Sequence, residues 1–490
     1  MDDYRFMLTM NRLTNYFKDS AWRSRRGESQ TASGNRLNAT NVLMSFPAAI
    51  LLLSSFAESA ELKSTYPRIG AYEIGGSKMT ANPDYRQALS KHDIVILGMW
   101  RNWRGTDLAT GEALTIRDVV VDIKRRAAAD NNRKMLIGKY TILMESSSDP
   151  SNSASTDKWE KLSSEVGPGL SINNDWWARN KDGENTSSFR NNWNTNVTEH
   201  VRRDANGDTW PEWAARRDYE VFFQDIPELD IWYIDNWFYK PRVRADWDGD
   251  GDDDDVDSET VRRDYRKGLL NGLKRARQLT PGRIFIGNVD GSPQSGNGML
   301  TEPEYKSQIS GLYEGAMGLS WSQETWGSWE SMMQQYQSTL ANSRDRLLIM
   351  TVHGDANDYA LMRYGLTSCL MDDGYYYYTA ENIRYRSALW FDEYDADLGR
   401  AIDPPQFRAW QNGVYRRRFE NGVVLVNPKG NGTRTVKPGP GYNRIDGTQD
   451  RTVNNGQAAD SVTLAERDGI VLISDQSTRA PRPKPPQMMQ

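Results

Sequence analysis

The stretch Leu229-Asp230-Ile231-Trp232-Tyr233-Ile234-Asp235-Asn236-Trp237 runs apolar for four residues and then ends in a carboxylate. Asp is a poor strand residue, so its place directly after Ile-Trp-Tyr-Ile needs a reason. Two readings are open. Asp235 either starts a loop by bonding nearby backbone N–H groups, or it carries chemistry at the C-terminal end of a barrel strand, where barrel enzymes keep their reactive groups.

The flanking sequence favours a barrel. From residue 68 onward, short apolar runs rich in β-branched and aromatic residues alternate with polar, helix-compatible stretches, the pattern of βα units around a parallel sheet. Strands are predicted over 69–74, 94–99, 135–143, 231–237, 284–288, 311–315, 347–352 and 374–378. The clearest amphipathic helices are predicted over 116–128, 260–278 and 329–342. Eight strand signals define an α/β chain built as a (β/α)8 TIM barrel over 66–400. Two connections, 144–230 and 238–259, are too long for plain βα turns, and long loops at the mouth of a barrel build active sites. No repeat of solenoid or propeller period is present.

After residue 400 the texture changes to short alternating segments with turn signals. Gly413-Val-Tyr-Arg-Arg-Arg-Phe419 and Val423-Val-Leu-Val-Asn427 flank Asn421-Gly422, a strong hairpin signal. A small antiparallel β-sandwich domain is expected over 405–475, and a disordered Pro-rich tail over 476–490. The basic run Arg416-Arg417-Arg418 reads as the solvated face of a strand.

The first 60 residues stand outside this pattern. The apolar run 42–57, preceded by Arg23, Arg25, Arg26 and Arg36 and followed by Ala57, Ser59 and Ala60, is short for a membrane span and suits the core of a signal peptide. The hydrophilic stretch before it is long for such a signal, so either translation starts downstream, at Met44, or the N-terminus anchors the chain. A secreted or periplasmic protein is expected, with no stable membrane span in the mature chain. The single cysteine, Cys369, excludes an intrachain disulfide and reads as a small core residue.

Composition narrows the partners. The chain has 490 residues and a net charge of −5 from 61 basic and 66 acidic side chains, so no basic field attracts nucleic acid. Mean hydropathy is −0.75, that of an ordinary soluble chain. Seventeen Trp and 23 Tyr are many, and a good share fall in polar, loop-like stretches. Flat rings beside hydrogen-bonding groups are what pyranose faces and edges need, although half of these rings are expected in the core.

A second carboxylate ends Ile309-Ser310-Gly311-Leu312-Tyr313-Glu314-Gly315, two strands further round. Glycoside hydrolysis requires two carboxyl groups flanking the scissile bond. Asp235 as nucleophile or base and Glu314 as general acid are therefore the expected catalytic pair, with Glu73, Glu145 and Glu324 as competitors. Trp177, Trp237 and Trp326 are candidate sugar platforms. Asn288, His353 and Asp373 are candidate hydrogen-bonding groups at the pocket edge. No Gly-x-Ser-x-Gly elbow supports a serine triad, and three His and one Cys are not at zinc-ligand spacing.

The acidic run Asp246-Trp-Asp248-Gly-Asp250-Gly-Asp252-Asp-Asp-Asp-Val-Asp257 fits the Asp-x-Asp-x-Asp-Gly pattern of a calcium loop, with Asp257 where Glu usually sits. Structural Ca²⁺ on Asp246, Asp248, Asp250, Asp252 and Asp257 is the expectation, against a plain solvated loop. No organic cofactor is expected.

Tyr233-Ile-Asp-Asn-Trp237, Leu312-Tyr-Glu-Gly315, Met371-Asp-Asp-Gly-Tyr375 and the hairpin Arg417-Arg-Phe-Glu-Asn-Gly-Val-Val-Leu-Val-Asn-Pro428 occur in this order along the chain. Together they resemble the glycosyl hydrolase-like barrel families related to polygalactosaminidases. The nearest resemblance is to hypothetical glycosyl hydrolase family 15, which is distinct from the glucoamylase family. The likeness runs from about Arg68 to Ile473. It implies a barrel, a C-terminal β-domain and an Asp/Glu pair acting on a poly- or oligosaccharide, but no particular sugar. A non-catalytic carbohydrate-binding barrel, and a polysaccharide lyase or transglycosylase, are the alternatives.

Overall fold

A computed structural model of the chain describes residues 62–74, 79–98, 103–130, 133–142, 145–147, 176–188, 192–289, 304–306, 308–318, 328–383 and 385–475; of 145–147, 192, 289, 312–318 and 381 it describes the backbone alone. The apolar N-terminal run, Glu324, Trp326 and the Pro-rich tail lie outside the described residues.

Eight strands form one parallel sheet in chain order: β1 Gly70–Glu73, β2 Ile94–Leu97, β3 Leu136–Ile142, β4 Ile231–Trp237, β5 Ile284–Val289, β6 Ser310–Gly318, β7 Leu348–Gly354 and β8 Tyr375–Ala380. The sheet closes on itself, since Ile69 bridges Tyr376 in parallel and the Tyr376 N–H donates to the Arg68 carbonyl at 2.9 Å. The result is a TIM-like barrel, and each predicted strand coincides with one of its staves. Runs such as Ile94-Val-Ile-Leu97 are buried throughout because a parallel strand is covered on both faces.

The helices follow from periodicity and caps. In α2 (Ile116–Ala129) the buried residues Ile116, Val119, Val120, Ile123 and Ala127 fall on one stripe, and Thr115 with Asp118 closes a capping box at its start. Helix α4 (Glu259–Leu279) has bare glycines where neighbours press closest: a Cβ on Gly268 would run into the Val197 carbonyl oxygen. Two shorter helices without an evident sequence period, α1 (Pro83–Leu89) and α3 (Trp210–Asp218), begin with proline in the first turn. Helices α5 (Trp329–Asn342) and α6 (Tyr359–Cys369) complete the described set. No helix among the described residues is long and apolar enough to cross a membrane.

Beyond the barrel, β9 (Tyr415–Phe419), β10 (Gly422–Asn427), β12 (Tyr442–Arg444) and β14 (Asp468–Ser474) form an antiparallel sheet, while β11 (Arg434–Val436) pairs with β13 (Val462–Leu464). Phe419 pairs with Gly422, so the hairpin turn is Glu420-Asn421, one residue before the expected Asn-Gly. Val423, Leu425, Ile470 and Leu472 pack with Val436, Val462 and Leu464, whereas Val424, Val426 and Val471 pack with the α6 side of the barrel. Sheet alternation thus gives Val-Val-Leu-Val two buried faces.

The basic run is not wholly solvated. Arg416 and Arg418 are partly or largely exposed, but Arg417 between them is 2 % exposed. Its guanidinium donates to the carbonyls of Leu370 (3.1 Å), Asp372 (2.7 Å) and Asp403 (3.2 Å) and to Asp373 Oδ1 (2.7 Å). Pleating puts alternate residues on opposite faces, so the middle arginine points into the barrel's base.

Candidate active site

Asp235 stands at the C-terminal end of β4, half-buried, and donors converge on it. Tyr140 Oη of β3 donates to Oδ2 at 2.8 Å, while Asn288 Nδ2 of β5 and the Asn236 N–H both donate to Oδ1 at 2.9 Å. Tyr233 Oη lies 3.4 Å from Oδ1 and 3.1 Å from Tyr72 Oη, and its one proton serves a single acceptor at a time. The acid is thereby oriented from both neighbouring strands by neutral groups. Aromatic rings surround it: Tyr140 stacks on Tyr233 at 5.8 Å, and Tyr72 meets Tyr233 at 5.0 Å and Tyr385 at 5.2 Å.

Asn236 takes a left-handed φ of 53°, which Asn tolerates better than other side chains except glycine. The register shifts after Ile234, and Trp237 packs over Gly287, where an added Cβ would sit 3.1 Å from the Trp237 side chain. Trp237 is fully buried against Tyr305. It is therefore a core residue, not the expected sugar platform. Trp177 is corrected in the same way: at 3 % exposure, it is packed edge-on against Trp193.

Glu314 belongs to β6, and its side chain lies outside what is described. Asn288 pairs with Leu312, so Glu314 is two residues further along its strand than the level at which Asn288 holds Asp235. Glu73, at the C-terminal end of β1, has no accessible surface; it accepts from Tyr85, from Tyr377 at 2.6 Å and from the Ala388 N–H at 3.3 Å. Burial raises its pKa against the opposing pull of these bonds. His353, next to last in β7, has no accessible surface, and its ring is edge-on to Tyr385 at 6.0 Å.

Asp373 is a plain correction. It precedes β8 and so lies at the opposite end of the barrel from Asp235, bonded to Tyr66 (2.6 Å) and Arg417 (2.7 Å). An acid just before a strand and one just after it look alike in a sequence. Cys369 is buried, and burial pushes its thiol up to about 12, as suits a core residue.

In the acidic loop, Asp246, Asp248 and Asp254 bring oxygens within 4.8 Å of one another. The Asp246 carboxylate accepts N–H bonds from Gly249 (2.7 Å), Asp250 (3.0 Å) and Gly251 (3.0 Å), and the glycines take left-handed φ of 81° and 96°. Burial, followed by the charges of Asp248 and Asp250, raises the pKa of Asp254. Asp257 is drawn into an ion pair with Lys240, Asp250 and Asp252 stand outside the trio, and Asp254, which the sequence pattern does not single out, joins it.

A closed parallel barrel with a donor-held carboxylate at its mouth defines a TIM-barrel protein, a class that serves many chemistries. The chain belongs to hypothetical glycosyl hydrolase family 15, whose model matches residues 98–423. No curated protein matches it. Among solved structures it is similar to the GH36 alpha-galactosidase AgaA from Geobacillus stearothermophilus, with 11% identity and a TM-score of 0.42 over 84% of this chain and 56% of that one. It is also similar to the alpha-amylase GTA from Geobacillus thermoleovorans (10% identity, TM-score 0.43, 83% of this chain and 94% of that one). A third is the glycoside hydrolase domain of PelA from Pseudomonas aeruginosa (12% identity, TM-score 0.36, 65% and 97%). The chain thus spans little more than half the length of the alpha-galactosidase.

Proposed function

We propose that the chain hydrolyses a glycosidic bond of a poly- or oligosaccharide outside the cytoplasm, with Asp235 as nucleophile or base and Glu314 as general acid. The observation that carries this reading is the set of neutral donors from β3, β4 and β5 that aim Asp235 at the mouth. Such donors fix a carboxylate's direction without pairing it to a cation. Glu314 would protonate the glycosidic oxygen as the bond to the anomeric carbon breaks, while Asp235 attacks that carbon or removes a proton from the attacking water. Glu73 is a weaker acid candidate, since its proton-holding burial also seals it behind Tyr85 and Tyr377. Asn288 and Tyr140 support the site by holding Asp235.

The test is a screen of diverse polysaccharides with product analysis. Asp235→Asn and Glu314→Gln are each expected to lower turnover by about 10³-fold or more. Full activity in both variants overturns the assignment, and unsaturated products absorbing in the ultraviolet would indicate a lyase.

Two further readings belong to this proposal. Ca²⁺ is proposed on Asp246, Asp248 and Asp254, supported by the winding of the loop around the Asp246 carboxylate. Added Ca²⁺ should raise the melting temperature of chelator-treated protein, with no rise in Asp246→Asn; an equal rise in both rejects the site. Export is proposed from the run 42–57 and its flanks. A mature N-terminus mapped beyond residue 56 on exported protein supports it, and an uncut chain confined to the cytoplasm rejects it. The C-terminal sheets are read as a β-sandwich domain backing the barrel's base.

A further inference from the structure

The base of the barrel holds a half-open cavity of about 500 Å³ where β5 begins, walled by Arg277, Arg283, Arg344, Asp345, Phe285 and the turn 280–282. Three guanidinium groups against one carboxylate is an unusual wall. Cations that share a cavity repel one another, and a fold gains nothing by gathering them unless something answers their charge.

Each arginine is positioned. Arg277 lies over the Phe285 ring at 5.4 Å and donates through Nη1 to Gln308, and its Nη2 is buried with no hydrogen-bond partner. A buried donor left unmade is costly and calls for an acceptor. Arg283 reaches the Pro227 carbonyl through Nη2 at 2.8 Å. Arg344 has its backbone pinned, its N–H on the Ile309 carbonyl (3.0 Å) and its own carbonyl on Ser310 Oγ (2.6 Å). Its side chain is half-exposed, and its ion pair with Asp345 is stretched to 3.7 Å.

Two further observations agree. Burial first, and the charge of Arg344 second, bring the pKa of Arg277 down to about 10, so the two cations feel each other. Asp345 and Arg346 both hold left-handed φ, 58° and 48°, a conformation that non-glycine residues keep only where the surroundings impose it. One cation in the last turn of α4 would answer the helix dipole, but that accounts for Arg277 and not for Arg283 and Arg344.

We propose that this cavity binds a tetrahedral oxyanion, a phosphate group either free or carried on a sugar, held by Arg277, Arg283 and Arg344. A phosphate presents acceptors in several directions, which suits guanidinium groups arriving from three separate segments better than a planar carboxylate does. It would relieve the repulsion between Arg277 and Arg344 and displace the loosely held Asp345 carboxylate. The cavity is at the opposite end of the barrel from Asp235, so its occupant is a second ligand and not the scissile sugar.

Calorimetric titration of the full chain with inorganic phosphate, and separately with glucose 6-phosphate and glucose, tests this. Phosphate should bind with a Kd of about 0.1–1 mM and at 10 mM raise the melting temperature by about 2 °C. Arg344→Gln, a half-exposed position that should not disturb folding, should weaken binding at least tenfold; Arg277→Gln should do the same if it folds. Equal binding of phosphate and the ester assigns a free anion, and tighter binding of the ester assigns a phosphorylated sugar; both support the site. No phosphate binding at 20 mM, binding unchanged in Arg344→Gln, or glucose binding as well as the ester overturns it.

Discussion

The two ends of the barrel treat aspartate in opposite ways. At the mouth, Asp235 is met by Tyr140, Asn288 and the Asn236 N–H, all neutral. At the base, Asp373 is met by Tyr66 and the buried Arg417, and Arg68 binds its carbonyl at 2.7 Å. Burial works to raise Asp373, yet the bonds from Tyr66 and Arg417 outweigh it and hold the carboxyl below the usual range. Neutral donors orient an acid and leave its charge available for chemistry. A guanidinium cancels that charge and turns the acid into a joint between barrel and sheet.

Exchanging the effects of the two ends would break this contrast. Asp235→Asn should abolish most turnover while leaving urea stability within about 1 kcal/mol, since an amide keeps the shape and an acceptor. Arg417→Met should do the reverse. Removing one partner of a buried pair leaves Asp373 and three carbonyls without their donor, for an expected loss of about 3–5 kcal/mol. Activity per folded molecule should stay near wild type. Urea denaturation with parallel assays decides it, and an Arg417→Met protein as stable as wild type would mean that the sheet is held by its apolar face alone.

The same contrast explains what the sequence can and cannot reveal. All eight staves are legible because parallel strands bury both faces and therefore read as continuous apolar runs. Asp235 is legible because it interrupts such a run at its end. Asp373 misleads because direction along the barrel is not written beside a short Asp-Asp-Gly; only the partner, Arg417, some 44 residues away, distinguishes base from mouth. Trp177 and Trp237 mislead because a tryptophan near polar residues looks the same whether its ring is outside or packed inward. For Trp237 the deciding feature is one left-handed residue, Asn236, which turns the chain after Asp235. Tyr140 and Tyr233 escape a reading of the sequence although a signal exists: Tyr233 stands two residues before Asp235 on the same strand face, and Tyr140 pairs with it just below the acid. The acidic loop is legible as a loop, whereas its ion pair between Asp257 and Lys240, a residue outside the motif, is not.

Asp372 offers the finest test of the base. Its side chain is almost fully buried, and its carboxyl is raised to about 6 by burial and by the neighbouring Asp373 charge, against the pull of the Asp373 N–H at 2.8 Å and of Arg346 at 3.3 Å. An unfolded Asp titrates near 4, so between about pH 4 and 6 the folded chain holds a proton that the unfolded chain has lost. This contribution is fully present below pH 4 and disappears as the pH rises through 6, a change of about 2–3 kcal/mol. Asp372→Asn cannot ionise and keeps an acceptor for the Asp373 N–H. Its stability relative to wild type should therefore climb between pH 4 and 6.5 and level off above. Urea midpoints at pH 4.0, 5.0 and 6.5 measure this, and parallel profiles for the two proteins would show that Asp372 ionises as an ordinary surface acid, leaving Asp373 and Arg417 to hold the joint alone.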